Sequence, residues 1–201
     1  RRSSDLFYHD MGLVGFLLTP MACQMSVDII PTREFARRPF IWLHLITRNN
    51  ATLSFSPSFG YELCARRAES LSTAGLDLSR WRGAGIGGDM IRPNVLARFA
   101  ERFASCGFDA KAFLPSYGMA EATLALTFSP LEQGMQYDTI DNTVLESEHR
   151  AAPADEKSAR SRSFVLCGHI LPDHELEVRG ENERRLHDRR IGRIFVRGPS
   201  L

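Results

Sequence analysis

Tyr117 and Glu121 stand four residues apart in the run Leu114-Pro115-Ser116-Tyr117-Gly118-Met119-Ala120-Glu121-Ala122-Thr123, and their types and spacing suit a nucleotide with its metal. Tyr117 offers a flat ring for a base, and Gly118 lets the backbone come close to a ligand. Glu121 offers a hard oxygen to Mg²⁺, which reaches phosphates through only one or two carboxylates. The apolar residues before Tyr117 read as a strand that turns at Gly118 into a helix beginning near Glu121. The same letters also describe an ordinary strand-to-helix turn, with Glu121 no more than an acid favoured by a helix N-terminus.

Such residues need a sheet edge to stand on. Residues 27–30 read as a short strand closed by Pro31, and Pro39 suits the first turn of a helix running through Trp42, Leu43 and Ile46 to about Arg48. Residues 52–55 read as the next strand, 61–68 as a helix and 84–86 as a strand. A helix then begins at Pro93 with Val95, Leu96, Phe99 and Phe103 on one face, and 112–114 form the last strand before the Tyr117 turn. Strands separated by helices of this length imply right-handed crossovers, hence an α/β fold with a parallel sheet and flanking helices.

The rhythm changes after Ser129. Residues 130–163 mix Glu146, Glu148, Asp155 and Glu156 with Arg150, Lys157, Arg160 and Arg162, carry few large apolar side chains, and read as a solvated surface loop. Alternation returns at 164–166, 174–179 and 193–197, the pattern of an antiparallel β subdomain, with a turn at Gly180-Glu181-Asn182 joining the last two into a hairpin. The expected division is therefore a parallel α/β subdomain over 1–129, a polar insertion over 130–163, and the start of an antiparallel β subdomain over 164–201.

Composition sets limits. A chain of 201 residues, 43% hydrophobic, can bury a core. Its net charge of +1, with arginines scattered among acids and lysine only at 111 and 157, leaves no stripe for nucleic acid. Cys23, Cys64, Cys106 and Cys167 form no CxxC pair and read as small core residues, reduced, in a cytoplasmic protein. No secretory signal and no apolar run of membrane-spanning length is present. His44, His149, His169, His174 and His187 show no metal-ligand spacing and read as surface or packing residues. Residues 83–88 satisfy GxGxxG, but 78–82 make a poor strand and the helix waits until Pro93, so a dinucleotide fingerprint is rejected.

Three words in register carry a resemblance: YHDMGLVGFLLTP at 8–20, PSFGYELCARRA at 57–68 and SYGMAEATLAL at 116–126, with GIGGDMIRP at 85–93 between the last two. Together they resemble the adenylate-forming superfamily of acyl-CoA synthetases, luciferases and peptide-synthetase adenylation domains, and most closely its fatty acyl-AMP ligase branch. The resemblance runs from about Tyr8 to the last residue. It implies ATP and Mg²⁺ as cofactors and a fatty acid as substrate. An acyl carrier protein, through its phosphopantetheine arm, is the implied acceptor in lipid or polyketide synthesis. Other readings are a long-chain acyl-CoA synthetase and a catalytically incomplete fragment that only binds acyl groups or nucleotide. Family members also carry an upstream phosphate loop, a downstream ribose-binding aspartate and a small C-terminal domain with a catalytic lysine, so the chain is expected to be the middle of a larger enzyme.

Residue by residue, the resemblance implies that Glu121 is the Mg²⁺ ligand and a catalytic residue. Tyr117, Gly118, Met119 and Ala120 then border the nucleotide, and Gly87, Gly88 and Asp89 form the loop under the adenine. A plain strand-end turn is the alternative for that loop. The second catalytic residue is His9, whose imidazole could orient the acyl carboxylate or offset phosphate charge; a histidine capping a turn with Asp10 is the alternative. The lead-in at 3–7 departs from the family's usual pattern. Ala120 stands where the superfamily commonly has a threonine that touches the α-phosphate, and whether Thr123 replaces that hydroxyl stays open. Ser58, Phe59, Gly60 and Tyr61 combine aromatic faces with a glycine and would wall an acyl pocket, where each buried methylene is worth ~0.8 kcal/mol; plain core packing is the alternative. Residues 137–163 occupy the place of the segment that, in acyl-AMP ligases, hinders the rotation needed for transfer to CoA.

Overall fold

Small residues in the middle strand let three parallel strands lie close under their helices. The computed structural model describes residues 9–201; Tyr8 and the lead-in at 3–7 lie outside the described residues. A π-helical segment, Met11–Leu18, continues into α1 (Thr19–Ala22), and α2 (Thr32–Arg37) and α3 (Phe40–Asn49) follow. Then come β1 (Leu53–Phe55), α4 (Ser58–Arg67), β2 (Gly83–Ile86), α5 (Pro93–Phe103) and β3 (Phe113–Gly118). β1, β2 and β3 pair in parallel, with Phe55 opposite Gly85 and Gly85 opposite Leu114. β4 (Ala125–Phe128) and β7 (His169–Ile170) extend the sheet antiparallel beyond β3, giving the order β1-β2-β3-β4-β7.

The helix α5 shows why these elements form. Pro93 starts it where a missing N–H costs nothing, and Val95, Leu96, Phe99 and Phe103 bury one face. Against it packs an aromatic core: Tyr61 lies 5.1 Å from both Trp42 and Phe99, and Trp42 lies 5.2 Å from Trp81. Each polar tip in that core is satisfied, Trp42 Nε1 by Ser54 Oγ at 2.7 Å, Trp81 Nε1 by the Gly83 carbonyl and Tyr61 Oη by the Gly85 carbonyl, both at 3.0 Å.

Three expectations need correction. Residues 27–30 form no strand; Val27 and Ile29 are exposed, Asp28 accepts from Asn49 Nδ2 at 2.8 Å, and Ile30 packs against the core. The segment read as a solvated loop instead folds into β5 (Tyr137–Asp141), α6 (Asn142–Glu148) and β6 (Ser161–Val165). β5 and β6 pair antiparallel, Asp141 caps α6 by accepting from Thr143 N and Val144 N, and Ile140 is buried. Its charges line the outer side, which is what made it look unstructured. Cys23 is exposed, unlike the buried Cys64 and Cys106. The terminal hairpin, β8 (Glu175–Arg179) with β9 (Arg193–Arg197), forms as expected. Among the described residues no helix is long and apolar enough to cross a membrane.

Candidate active site

The carboxyl ends of β1, β2 and β3 point the same way, and ligands of open α/β sheets bind outside such ends. Phe55, Ile86 and Gly118 are the last residues of the three strands, so the expected site residues leave the sheet along one edge. Gly87 is buried beside β3: a Cβ there would stand 2.8 Å from Ser116 Oγ, which itself donates to the Ile86 carbonyl at 3.1 Å. Gly88 adopts a φ of 74°, a left-handed backbone that glycine takes without strain, and Asp89 is exposed with its Oδ1 accepting from Met90 N at 2.6 Å. The glycine loop thus lies directly against the strand that carries Tyr117.

Tyr117 belongs to the strand rather than to a turn. It is half-buried, pairs with Thr127, and its ring makes no contact with another ring and no hydrogen bond among the described residues. The register shifts between Tyr117 and Gly118, and a Cβ on Gly118 would overlap the Leu124 carbonyl oxygen, so only glycine fits. After the half-buried Met119, the turn Ala120–Ala122 is a single 3₁₀ turn, not the start of a longer helix. It carries Ala120 and Glu121 exposed to solvent, and the Glu121 carboxylate has no partner among the described residues. Glu121 therefore sits at the tip of a β3–β4 hairpin. The hydroxyl of Thr123 donates to the Ser200 carbonyl at 2.9 Å, so its proton is engaged within the chain.

The N-terminal helix links these loops. Met11 lies over the glycine loop, 3.2 Å from where a Gly88 Cβ would be, and Leu124 lies at the same distance from a Cβ on Gly15. His9 precedes that helix with its side chain about half exposed, its Nδ1 2.6 Å from Asp10 Oδ1. Asp10 also caps the helix by accepting from Met11 N at 2.8 Å. No three or more His, Cys, Asp or Glu side chains gather among the described residues into a metal cage. A single free carboxylate is the kind of protein donor Mg²⁺ uses alongside phosphate oxygens.

Beside this edge lies an apolar cavity of about 250 Å³, somewhat below the usual ligand-pocket range, with Phe16, Ile29, Phe35, Phe55 and Phe59 among its walls. Phe55 forms its inner side, edge-on to Phe16 and Phe128 at 6.3 Å each. A Cβ on Gly85 would run into the Phe55 ring, which explains the alternating glycines of β2.

Of the four residues expected to wall an acyl pocket, Phe59 lines this cavity. Ser58 is buried, donating to the Met90 carbonyl at 3.3 Å and accepting from Arg92 N at 3.2 Å, and so it fastens the glycine loop to α4. Gly60 is buried against Ser56 and Phe35, and Tyr61 is fully buried in the aromatic core, where burial pushes its phenol well above the usual tyrosine range. These three do not line the cavity: α4 begins at Ser58, and successive helical residues turn by about 100°. Phe16 and Phe35 were missed as pocket residues, because each sits in an apolar context that reads as plain packing.

The sequence model of the AMP-binding enzyme family matches residues 6–201. A Caulobacter vibrioides protein provisionally named an acyl-CoA synthetase is 56% identical over 96% of this chain and 34% of its own length. The medium-chain-fatty-acid–[acyl-carrier-protein] ligase TtuA of Teredinibacter turnerae is 36% identical over 96% of this chain and 30% of its own. A solved structure from work on fatty acyl-adenylate ligases of E. coli and L. pneumophila superposes with a TM-score of 0.92 at 46% identity, over 97% of this chain and 35% of that one. The chain thus spans about a third of the length of the curated relatives it matches. It belongs to the adenylate-forming AMP-binding enzymes, with fatty acyl-AMP ligases and acyl-CoA synthetases among its relatives.

Proposed function

We propose that this chain forms the acyl- and adenylate-binding part of an ATP-dependent fatty acyl-AMP ligase that passes its product to an acyl carrier protein. One observation carries the proposal: the apolar cavity, the glycine loop and the hairpin tip with Glu121 adjoin one another along the carboxyl edge of the parallel strands. In the reaction, a carboxylate oxygen of the fatty acid attacks the α-phosphorus of ATP in line. The acyl–phosphate bond forms, the bond to the bridging oxygen of the β-phosphate breaks, and pyrophosphate leaves.

Positioning and electrostatics carry most of such a transfer. Glu121 would hold Mg²⁺, which when bound supplies charge neutralisation at the phosphates. Tyr117 would stack on the adenine, with Gly87, Gly88 and Asp89 beneath it and Gly118, Met119 and Ala120 along the nucleotide. Asp10 holds the His9 ring at Nδ1, and in the imidazolium form the free Nε2–H would donate to the acyl carboxylate. Phe55 and Phe59 would exclude water from the acyl chain.

The acceptor depends on the insertion. β6 packs against α5, and Arg162 Nη2 reaches Met90 Sδ beside the glycine loop, 3.5 Å away, which supports reading this unit as the segment that would hinder the family's rotation. That favours a carrier protein. The name of the Caulobacter relative motivates the second reading, transfer to CoA. The full-length gene product, given fatty acid, ATP and Mg²⁺, should accumulate acyl-AMP, acylate a phosphopantetheinylated carrier protein and form no thioester with CoA. A CoA thioester would favour the second reading, and no adenylate at all would refute both.

A further inference from the structure

Thr123 holds a backbone conformation that its side chain disfavours. At φ 66° and ψ −58° it forms a γ-turn, closed by Leu124 N donating to the Ala122 carbonyl at 2.7 Å. The positive-φ form of this turn is rare and strained, and a β-branched residue makes it more so. Such strain persists where neighbouring structure imposes it, and it clusters at functional sites. Here the backbone of Thr123 also closes the turn carrying Glu121, its N–H donating to the Ala120 carbonyl at 3.1 Å.

The imposing structure is identifiable. Thr123 Oγ1 donates to the Ser200 carbonyl at 2.9 Å, and Ser200 Oγ lies 2.7 Å from His174 Nε2. His174 Nδ1 lies 2.9 Å from the Pro172 carbonyl, which can only accept, so the proton sits on Nδ1 and Nε2 accepts from the Ser200 hydroxyl. Gly198 presses on the imidazole so closely that a Cβ would collide with it. The β8–β9 hairpin is thereby fastened, through one histidine and one serine, to the residue that closes the Glu121 turn.

We infer that Thr123 and His174 are positioning residues that set where the Glu121 carboxylate stands for Mg²⁺. The inference rests on the proposed role of Glu121 as the metal ligand. Thr123→Val keeps the shape and removes the donor; Thr123→Ser restores the donor; His174→Phe keeps a ring against Gly198 and removes Nε2.

In the full-length gene product, the Mg²⁺ concentration for half-maximal adenylate formation is the decisive readout, with fatty acid KM and melting temperature as controls. Thr123→Val should raise it about fivefold, the worth of one ordinary hydrogen bond. Fatty acid KM should stay unchanged and the melting temperature should move by less than ~3 °C. Thr123→Ser should return it to near wild type, and His174→Phe should raise it about twofold. An unchanged Mg²⁺ requirement in Thr123→Val overturns the inference, as does an equal loss in every parameter with a lowered melting temperature. Glu121→Gln separates the two levels. If it shifts the Mg²⁺ requirement while Thr123→Val does not, only the inference fails. If it leaves the requirement at wild type, the metal-ligand reading fails and the inference with it.

Discussion

Phe59 and Tyr61 are two residues apart and face opposite ways, one onto the apolar cavity and one into the core. Two residues along a helix amount to about 200°, so a continuous aromatic word in the sequence cannot be a continuous wall once a helix begins at Ser58. Phe59→Ala should therefore raise the KM for fatty acid while leaving urea stability nearly unchanged. Tyr61→Phe should leave that KM alone and cost ~1 kcal/mol of stability, because it removes the bond to the Gly85 carbonyl, which keeps Ser56 N as a second donor. The cysteines divide in the same way. Cys23 is exposed, whereas burial pushes the Cys64 thiol far up and hides it. Brief alkylation of the native protein at neutral pH, read by mass spectrometry, should modify Cys23 and spare Cys64 and Cys106.

At the level of elements, α3 and α5 were legible because an apolar face at helical spacing, with a proline at the entrance, has one good solution. The Glu121 turn was less so. Nothing in the letters of Ala122-Thr123-Leu124 announces a positive φ at a threonine, since contacts from a hairpin some 77 residues away impose it. Residues 27–30 misled for a complementary reason: their strand-like run pairs with no strand among the described residues, and Val27 and Ile29 stay exposed beside the apolar cavity. The glycines of β2, formally a dinucleotide fingerprint, are explained by Leu53 and Phe55 lying across them. Gly85→Ala should push the Phe55 ring toward the cavity, lowering stability by about 1–3 kcal/mol and weakening fatty acid binding together. Paired denaturation and KM measurements check this, and intact binding in the variant would remove Phe55 from the pocket.

For the molecule as a whole, the order of strand and helix was readable from α3 to β3, and the hairpin at the end was readable from its alternation. The β5–α6–β6 unit was not, because its buried contacts are few and its charges dominate the composition, although Met135 and Val165 pack against the core and Ile140 is buried. What makes the molecule more than a sheet with loops is that three separate segments, around residues 9–15, 85–89 and 117–124, meet at the carboxyl edge beside an apolar cavity. The most direct test is fatty-acid-dependent exchange of pyrophosphate into ATP by the full-length gene product, wild type against Glu121→Gln. The wild type should exchange only with fatty acid present, and the variant should fall by about a hundredfold at unchanged melting temperature. Exchange within twofold of wild type in Glu121→Gln would contradict the account.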